Sequence, residues 1–116
     1  MTEVDRLLDD AFSAYNNKDF DYAQDLARSA LTLAPTNGDG LYLLGLIATK
    51  LNAFEPAEKL LYQAVQLYPD NKQYKLSLGF ALEKQGRLDE ALSFYEQFKE
   101  DAFVLHKTRY DKKDSS

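Results

Sequence analysis

Apolar residues in this chain recur at helical spacing. Between residues 38 and 71, Leu41, Leu44, Ala48 and Leu51 fall three and four apart, the mark of a stripe buried along one helix face. The pattern breaks at Asn52-Ala53, and Ala57, Leu60, Leu61, Ala64 and Leu67 then form a second stripe. Pro69-Asp70-Asn71 ends it, since proline cannot continue a helix and disfavours helical geometry in the residue before it. Pro56 falls in the first turn of the second helix, where a missing N–H costs nothing. Asp70 is the expected N-cap of the helix that follows, and Gly38-Asp39-Gly40 reads as a turn. No segment alternates with period two over a useful length, so no strand is predicted.

The same helix pair occurs three times. Pro35 and Pro69 are 34 residues apart, as are Gly45 and Gly79. Ala23, Ala57 and Ala91 share that spacing, and so do Phe20, Phe54 and Leu88, and Leu26, Leu60 and Phe94. Leu8, Tyr42 and Leu76 are in register, as are Phe12, Leu46 and Phe80. Three copies fit into 4–37, 38–71 and 72–105, leaving Met1 to Glu3 and an eleven-residue tail, 106–116. In the third copy Gly86 takes the break, where a positive φ is easily placed. One such pair cannot bury its apolar face alone; stacked neighbours can, and three is about the lower limit for independent stability.

These residues resemble the tetratricopeptide repeat, a 34-residue unit with a small residue near the middle of each helix and a proline at its end. The second copy has Leu41, Leu44-Gly45, Ala48, Ala57, Leu61, Ala64 and Pro69; the third has Leu78-Gly79, Leu82, Gly86, Ala91 and Tyr95. The first has Leu7, Ala11, Ala14, Ala23, Ala27, Ala30 and Pro35. The departures are Asp10 before the small residue of the first copy, Lys75 where a large apolar residue is usual, and Phe98 and Phe103 for the expected Ala and Pro. The resemblance implies an all-α fold, a right-handed α-solenoid of three helix-turn-helix units with six helices; the apolar stretch from Phe98 to Leu105 is expected to stay helical, either extending the last helix or folding back as a short C-terminal capping helix. The small residues let helix backbones approach, so a bulky residue at Ala57 or Gly79 is expected to cost on the order of 1–3 kcal/mol.

The resemblance also implies a function, non-catalytic binding of a peptide or helical segment of a partner protein in a concave groove lined by the first helix of each pair. The lining positions would be Leu8, Phe12 and Tyr15, then Tyr42, Leu43, Leu46 and Lys50, then Gln73, Leu76, Ser77, Phe80 and Lys84. An exposed apolar strip of this kind usually marks an interaction site, and Tyr15 and Tyr42 would add contact area at low entropic cost. The competing reading is internal packing, with Leu8 and Leu76 turned against their neighbours. Some members grip the C-terminal carboxylate of chaperones with a clamp of Lys, Asn and Arg. The corresponding residues here are Leu8, Phe12, Leu43, Gln73 and Ser77, none cationic, so that carboxylate would lack its charge-assisted partners and is not the expected ligand.

The last helix carries Leu92, Phe94, Tyr95 and Phe98, with no full seventh helix to cover them. Solenoid ends need a polar outer face. Three covers are open: Phe103 to Tyr110 folding back, a second copy in a homodimer, or the rest of a longer protein. Assembly through this end is therefore an alternative function. A third is service as the accessory domain of a larger enzyme, such as a glycosyltransferase or methyltransferase. The tail from His106 mixes Lys107, Arg109, Lys112 and Lys113 with Asp111 and Asp114, the composition of a solvated end.

Composition narrows the rest. The 116 residues include 19 acidic and 14 basic side chains, a formal charge of −5, with 45% apolar and 13% aromatic residues. That suits one folded domain and argues against binding a phosphate backbone, which needs a surplus of Lys and Arg. No run approaches the roughly 18 apolar residues of a membrane span, and the first residues lack the basic and apolar regions of a signal peptide. With no Cys, disulfide and thiolate chemistry are excluded and a reducing compartment is allowed; the expected location is cytoplasmic. His106 is the only histidine, so no Ser–His–Asp set has independent support. Asp9-Asp10 and Asp19, Asp21 and Asp25 lack the spacing of a calcium loop and sit near helix starts, where the dipole favours acids. Gly38 and Gly40 lack the rest of a phosphate loop. No enzyme activity, cofactor or metal is expected.

Overall fold

A computed structural model of the chain describes residues 1–96. They form six helices: α1 (Glu3–Asn16), α2 (Phe20–Leu33), α3 (Gly38–Lys50), α4 (Phe54–Leu67), α5 (Lys72–Lys84) and α6 (Leu88–Glu96). There is no strand among the described residues. The expected capping helix, Phe98, Phe103 and the tail lie outside them.

Each helix begins and ends for a local reason. Thr2 caps α1 in a reciprocal box, its side chain accepting from the Asp5 N–H while Asp5 accepts from the Thr2 N–H, so two otherwise unpaired donors are satisfied. Asn37 and Asn71, 34 apart, cap α3 and α5, accepting from the N–H of Gly40 and Tyr74 at 2.9 and 3.0 Å. Two expectations are corrected by these caps. The N-cap of α5 is Asn71, whose backbone is extended, and not Asp70, which lies one residue too early. Gly38-Asp39-Gly40 is the first turn of α3 and not an inter-repeat turn, because the Asn37 cap starts the helix ahead of it. Pro35 and Pro69 stand just beyond the C-caps Ala34 and Tyr68.

Helices pair within each hairpin, α1 with α2, α3 with α4 and α5 with α6, and successive hairpins stack through α2 on α3 and α4 on α5. The backbones of the first helices also approach directly, α1 with α3 and α3 with α5, while those of α2 and α4, and of α4 and α6, do not come as close among the described residues. A row whose first helices touch and whose second helices splay apart is curved, with α1, α3 and α5 on its inner side.

Two core clusters follow from this stacking. Ala11, Ala14, Ala23 and Ala27 meet Leu43, Leu44 and Ile47 in the first; Leu41, Ala57, Leu61, Ala64, Val65, Tyr74, Leu78, Ala81, Leu82 and Ala91 form the second. The central helix α3 contributes to both. Close helix approach explains the small residues: a Cβ on Gly45 would lie 2.6 Å from Leu61 Cγ, and one on Gly79 2.6 Å from Tyr95 Cε1. No described helix is long and apolar enough to cross a membrane.

Candidate partner-binding face

The inner face is built from ridges on α1, α3 and α5. Residues four apart on a helix lie one above the other. Leu8, Phe12 and Asn16 form such a ridge on α1, Tyr42, Leu46 and Lys50 on α3, and Leu76, Phe80 and Lys84 on α5. The 34-residue register sets these side by side on touching helices.

The side chains divide by burial. Leu43 is fully buried and Leu8 is only 7% exposed, so neither lines an accessible groove and both leave the expected set. Leu43 stands one turn before Ile47 on the side of α3 that closes the first cluster, and that side exists because a hairpin precedes α3. The positions in register with Leu43 are Asp9, which has no hairpin before it, and Ser77. Leu8 is buried on α1 although it belongs to neither core cluster. Phe12 and Tyr15 are half-buried against the first cluster, and Tyr42 against the second. Burial, with a smaller contribution from Tyr42, pushes the Tyr15 phenol above its ordinary value. Leu46, Leu76 and Ser77 are half-buried, Lys50, Gln73 and Lys84 are exposed, and Phe80 is 39% exposed. The Lys84 ammonium lies 5.3 Å from the centre of the Phe80 ring, within reach of a cation–π attraction.

Sequence reasoning missed the device that locks the second hairpin to the third. Tyr74 donates its hydroxyl proton to Asp39 Oδ1 at 2.6 Å, and Tyr68 donates to the Thr36 carbonyl at 2.7 Å. The Tyr74 ring sits 5.1 Å from that of Tyr42 and edge-on to Tyr68 at 6.2 Å. Gly38 lies beneath, where a Cβ would come within 2.7 Å of both Tyr68 and Tyr74. Burial first, then the hydrogen bond and charge of Asp39, push the Tyr74 phenol far above its ordinary value. The clue in the sequence was Gly38 itself, which has no equivalent in the other copies. Farther along, Glu58 accepts from Gln85 Nε2 at 2.9 Å and Arg87 Nη1 at 2.6 Å, tying α4 to the α5–α6 turn.

Two other features of the surface are chemically plain. A shallow cleft of about 350 Å³ between α1 and α2 is lined by Asp10, Ser13, Ala14, Asn17, Asp19 and Tyr22. Among the described residues no three His, Cys, Asp or Glu side chains are grouped to hold a metal.

A tetratricopeptide-repeat profile matches residues 8–72 and, overlapping, 51–103. The chain belongs to the tetratricopeptide-repeat family. No curated protein sequence matches it. Among solved structures, this tetratricopeptide-repeat chain is similar to an O-GlcNAc transferase variant of Thermobaculum terrenum, at 27% identity and a TM-score of 0.80, over 86% of this chain and 20% of that one. It is similar to a MamA variant at 27% identity and a TM-score of 0.70, over 82% of this chain and 55% of that one. The fold is shared with the second tetratricopeptide domain of Spaghetti (RPAP3) bound to an HSP90 peptide, at 19% identity and a TM-score of 0.78, over 82% and 88%. The chain thus spans one fifth of the transferase and about half of MamA. Tetratricopeptide-repeat domains are protein-interaction modules and generally non-catalytic.

Proposed function

We propose that the chain is a non-catalytic interaction module that holds an apolar segment of a partner protein, an extended peptide or a helix, against the inner face of α1, α3 and α5. The observation supporting this reading is the placement of Leu46, Leu76 and Phe80. Leu46 and Phe80 lie in register on the touching helices α3 and α5, with Leu76 one turn before Phe80; all three stand outside both core clusters, and the Phe80 ring is 39% exposed. Apolar surface concentrated on one concave face suits helix-in-groove or peptide recognition. The experiment compares the wild-type chain with a Leu46→Ala/Phe80→Ala variant as baits in source lysate, with helicity checked by circular dichroism. A protein retained by the wild type and lost by the folded variant is expected. Identical captures by both baits would remove this face as the site. Tyr42 is a poor probe, since its ring also stacks on Tyr74 in the core.

A chaperone C-terminal carboxylate is not the proposed ligand. Of Leu8, Phe12, Leu43, Gln73 and Ser77 none is cationic, and Leu8 and Leu43 are buried. A second reading, end-to-end assembly with another copy, is favoured by one observation: Leu88 and Leu92, one turn apart on α6, are 57% and 54% exposed. The likeness to one fifth of an O-GlcNAc transferase favours a related setting, in which these helices are the accessory part of a larger protein.

A further inference from the structure

The apolar ridges of the inner face end in a charged margin. Their first two rows are Leu8, Tyr42 and Leu76, then Phe12, Leu46 and Phe80; the third is Asn16, Lys50 and Lys84. Lys50 and Lys84 close the last turns of α3 and α5, two helices in direct contact. The helix dipole favours a cation at each of these ends. The position of Lys84 adds something the dipole does not require: its ammonium rests over the Phe80 ring, on the border of the apolar strip and not directed away from it.

Of the carboxylates near this face, three are engaged by the fold, and Asp9, exposed on α1 in register with Leu43 and Ser77, stands two turns before the row of Asn16, Lys50 and Lys84. At the opposite end, Asp5 is held by the Thr2 capping box and Asp39 accepts from the Tyr74 hydroxyl. Glu83, beside Lys84 in sequence, faces the Tyr95 hydroxyl of α6 at 3.4 Å. The face is therefore one-sided: its apolar rows end in exposed cations at the C-terminal turns of α3 and α5, while its carboxylates are engaged by the fold or stand nearer the other end. In a chain of net charge −5, a local pair of lysines is a selective feature, because most of the surface repels an acidic partner.

We propose that the occupant of this face is an apolar protein segment carrying acidic side chains at one end, whose carboxylates meet Lys50 and Lys84 while its apolar residues cover Leu46, Leu76 and Phe80. This rests on the binding reading above and adds to it the charge and the direction of the partner. The lysines fix which way the segment lies, since its acidic end belongs at the C-terminal turns of α3 and α5. Side-chain carboxylates suffice, and no free chain terminus is required.

The test is selection of a random 12-residue peptide phage library on the wild-type chain, on Lys50→Glu/Lys84→Glu and on Leu46→Ala/Phe80→Ala, each checked for native helicity. Lys50→Gln/Lys84→Gln serves as the milder charge variant should the glutamates disturb the helix ends. The wild type is expected to enrich apolar peptides with Asp or Glu clustered at one end. Their binding should fall roughly tenfold or more on losing the lysines, the scale of a charge-assisted hydrogen bond, and weaken with added salt. The glutamate variant should turn the selection toward peptides with Lys or Arg. Enriched peptides with no acidic bias, or acidic ones that bind the lysine-free variants equally well, would overturn the charge proposal; if those peptides still need Leu46 and Phe80, the apolar face stands without it. No enrichment on the wild type would overturn both.

Discussion

Lys18, Asn52 and Gly86 occupy the same place in the three hairpins, 34 residues apart, and all have left-handed backbone, with φ of 65°, 62° and 79°. Each turns the chain from a first helix into its partner. The position costs glycine nothing and is tolerated by Asn, but Lys18 carries a Cβ into it without the short polar side chain that lets Asn bond to the local backbone. Replacing Lys18 with Gly should therefore stabilise the fold by about 0.5–1 kcal/mol, the left-handed penalty less the entropy that glycine loses on folding. A thermal melt should rise by a few degrees. Gly86→Ala should do the reverse, costing about 1 kcal/mol, although nothing stands within 4 Å of the added methyl. Gly45 and Gly79 raise a different question, that of space. Leu61, which Gly45 abuts, is fully buried and has nowhere to move. Tyr95, against Gly79, is half-buried on α6, the last described helix. Alanine at either site overpacks the crossing by about 1–3 kcal/mol, and chemical denaturation should place Gly45→Ala toward the top of that range and Gly79→Ala toward the bottom.

At the scale of elements, tyrosine hydroxyls add polar ties to the aliphatic packing, one between hairpins and one within the third. Tyr74 on α5 reaches back to Asp39 on α3, and Tyr95 on α6 approaches Glu83 on α5. Burial, followed by the charge of Glu83 and its hydrogen bond, pushes the Tyr95 phenol up to about 12, and Tyr74 is raised further still in the same direction. An unfolded tyrosine titrates near pH ~10. Because the folded values are higher, the stabilisation is complete below pH ~10 and falls as pH rises through the folded values, where the unfolded chain gives up its protons first. Denaturation midpoints should accordingly be flat on the near side of pH ~10 and drop beyond it, less steeply in Tyr74→Phe or Tyr95→Phe. At neutral pH, Tyr74→Phe should cost about 1–2 kcal/mol, a lost hydrogen bond to a charged acceptor. The element boundaries were largely readable from the apolar stripes and from Pro35 and Pro69. The caps were less so, because Asp70 and Asn71 are both good N-cap residues and only the backbone geometry chooses between them.

At the scale of the whole described stack, the outer surfaces of α4 and α6 differ. The α4 surface facing α5 is closed partly by Glu58, which takes hydrogen bonds from Gln85 and Arg87. In register with Glu58 on α6 stands Leu92, and in register with the half-buried Phe54 stands Leu88, both exposed. If this end joins two copies, the sedimentation mass should rise from monomer to dimer with concentration, and Leu88→Glu/Leu92→Glu should hold it at the monomer. A wild-type mass independent of concentration would remove the assembly reading. The inner face belongs to this scale too, since it exists only because three first helices are set side by side.

The periodicity of 34 and the two stripes per copy were sufficient to determine six helices, three hairpins and membership of a repeat family, because helix formation and pairwise stacking depend on local spacing and on small residues at crossings. Burial of individual groove positions was beyond the sequence. Leu43 and Leu46 look alike on paper, yet one closes the core behind α3 and the other lies on the inner face, because α3 packs against hairpins on both sides. Leu8, Tyr42 and Leu76 share a register position but differ in what surrounds them. The pairing of Tyr74 with Asp39, and the meeting of Lys84 with Phe80 on the margin of the strip, likewise depend on how neighbouring helices are placed. Repetition in the chain specifies the units; which of their apolar residues remain open to a partner is set by the neighbours each unit acquires on stacking.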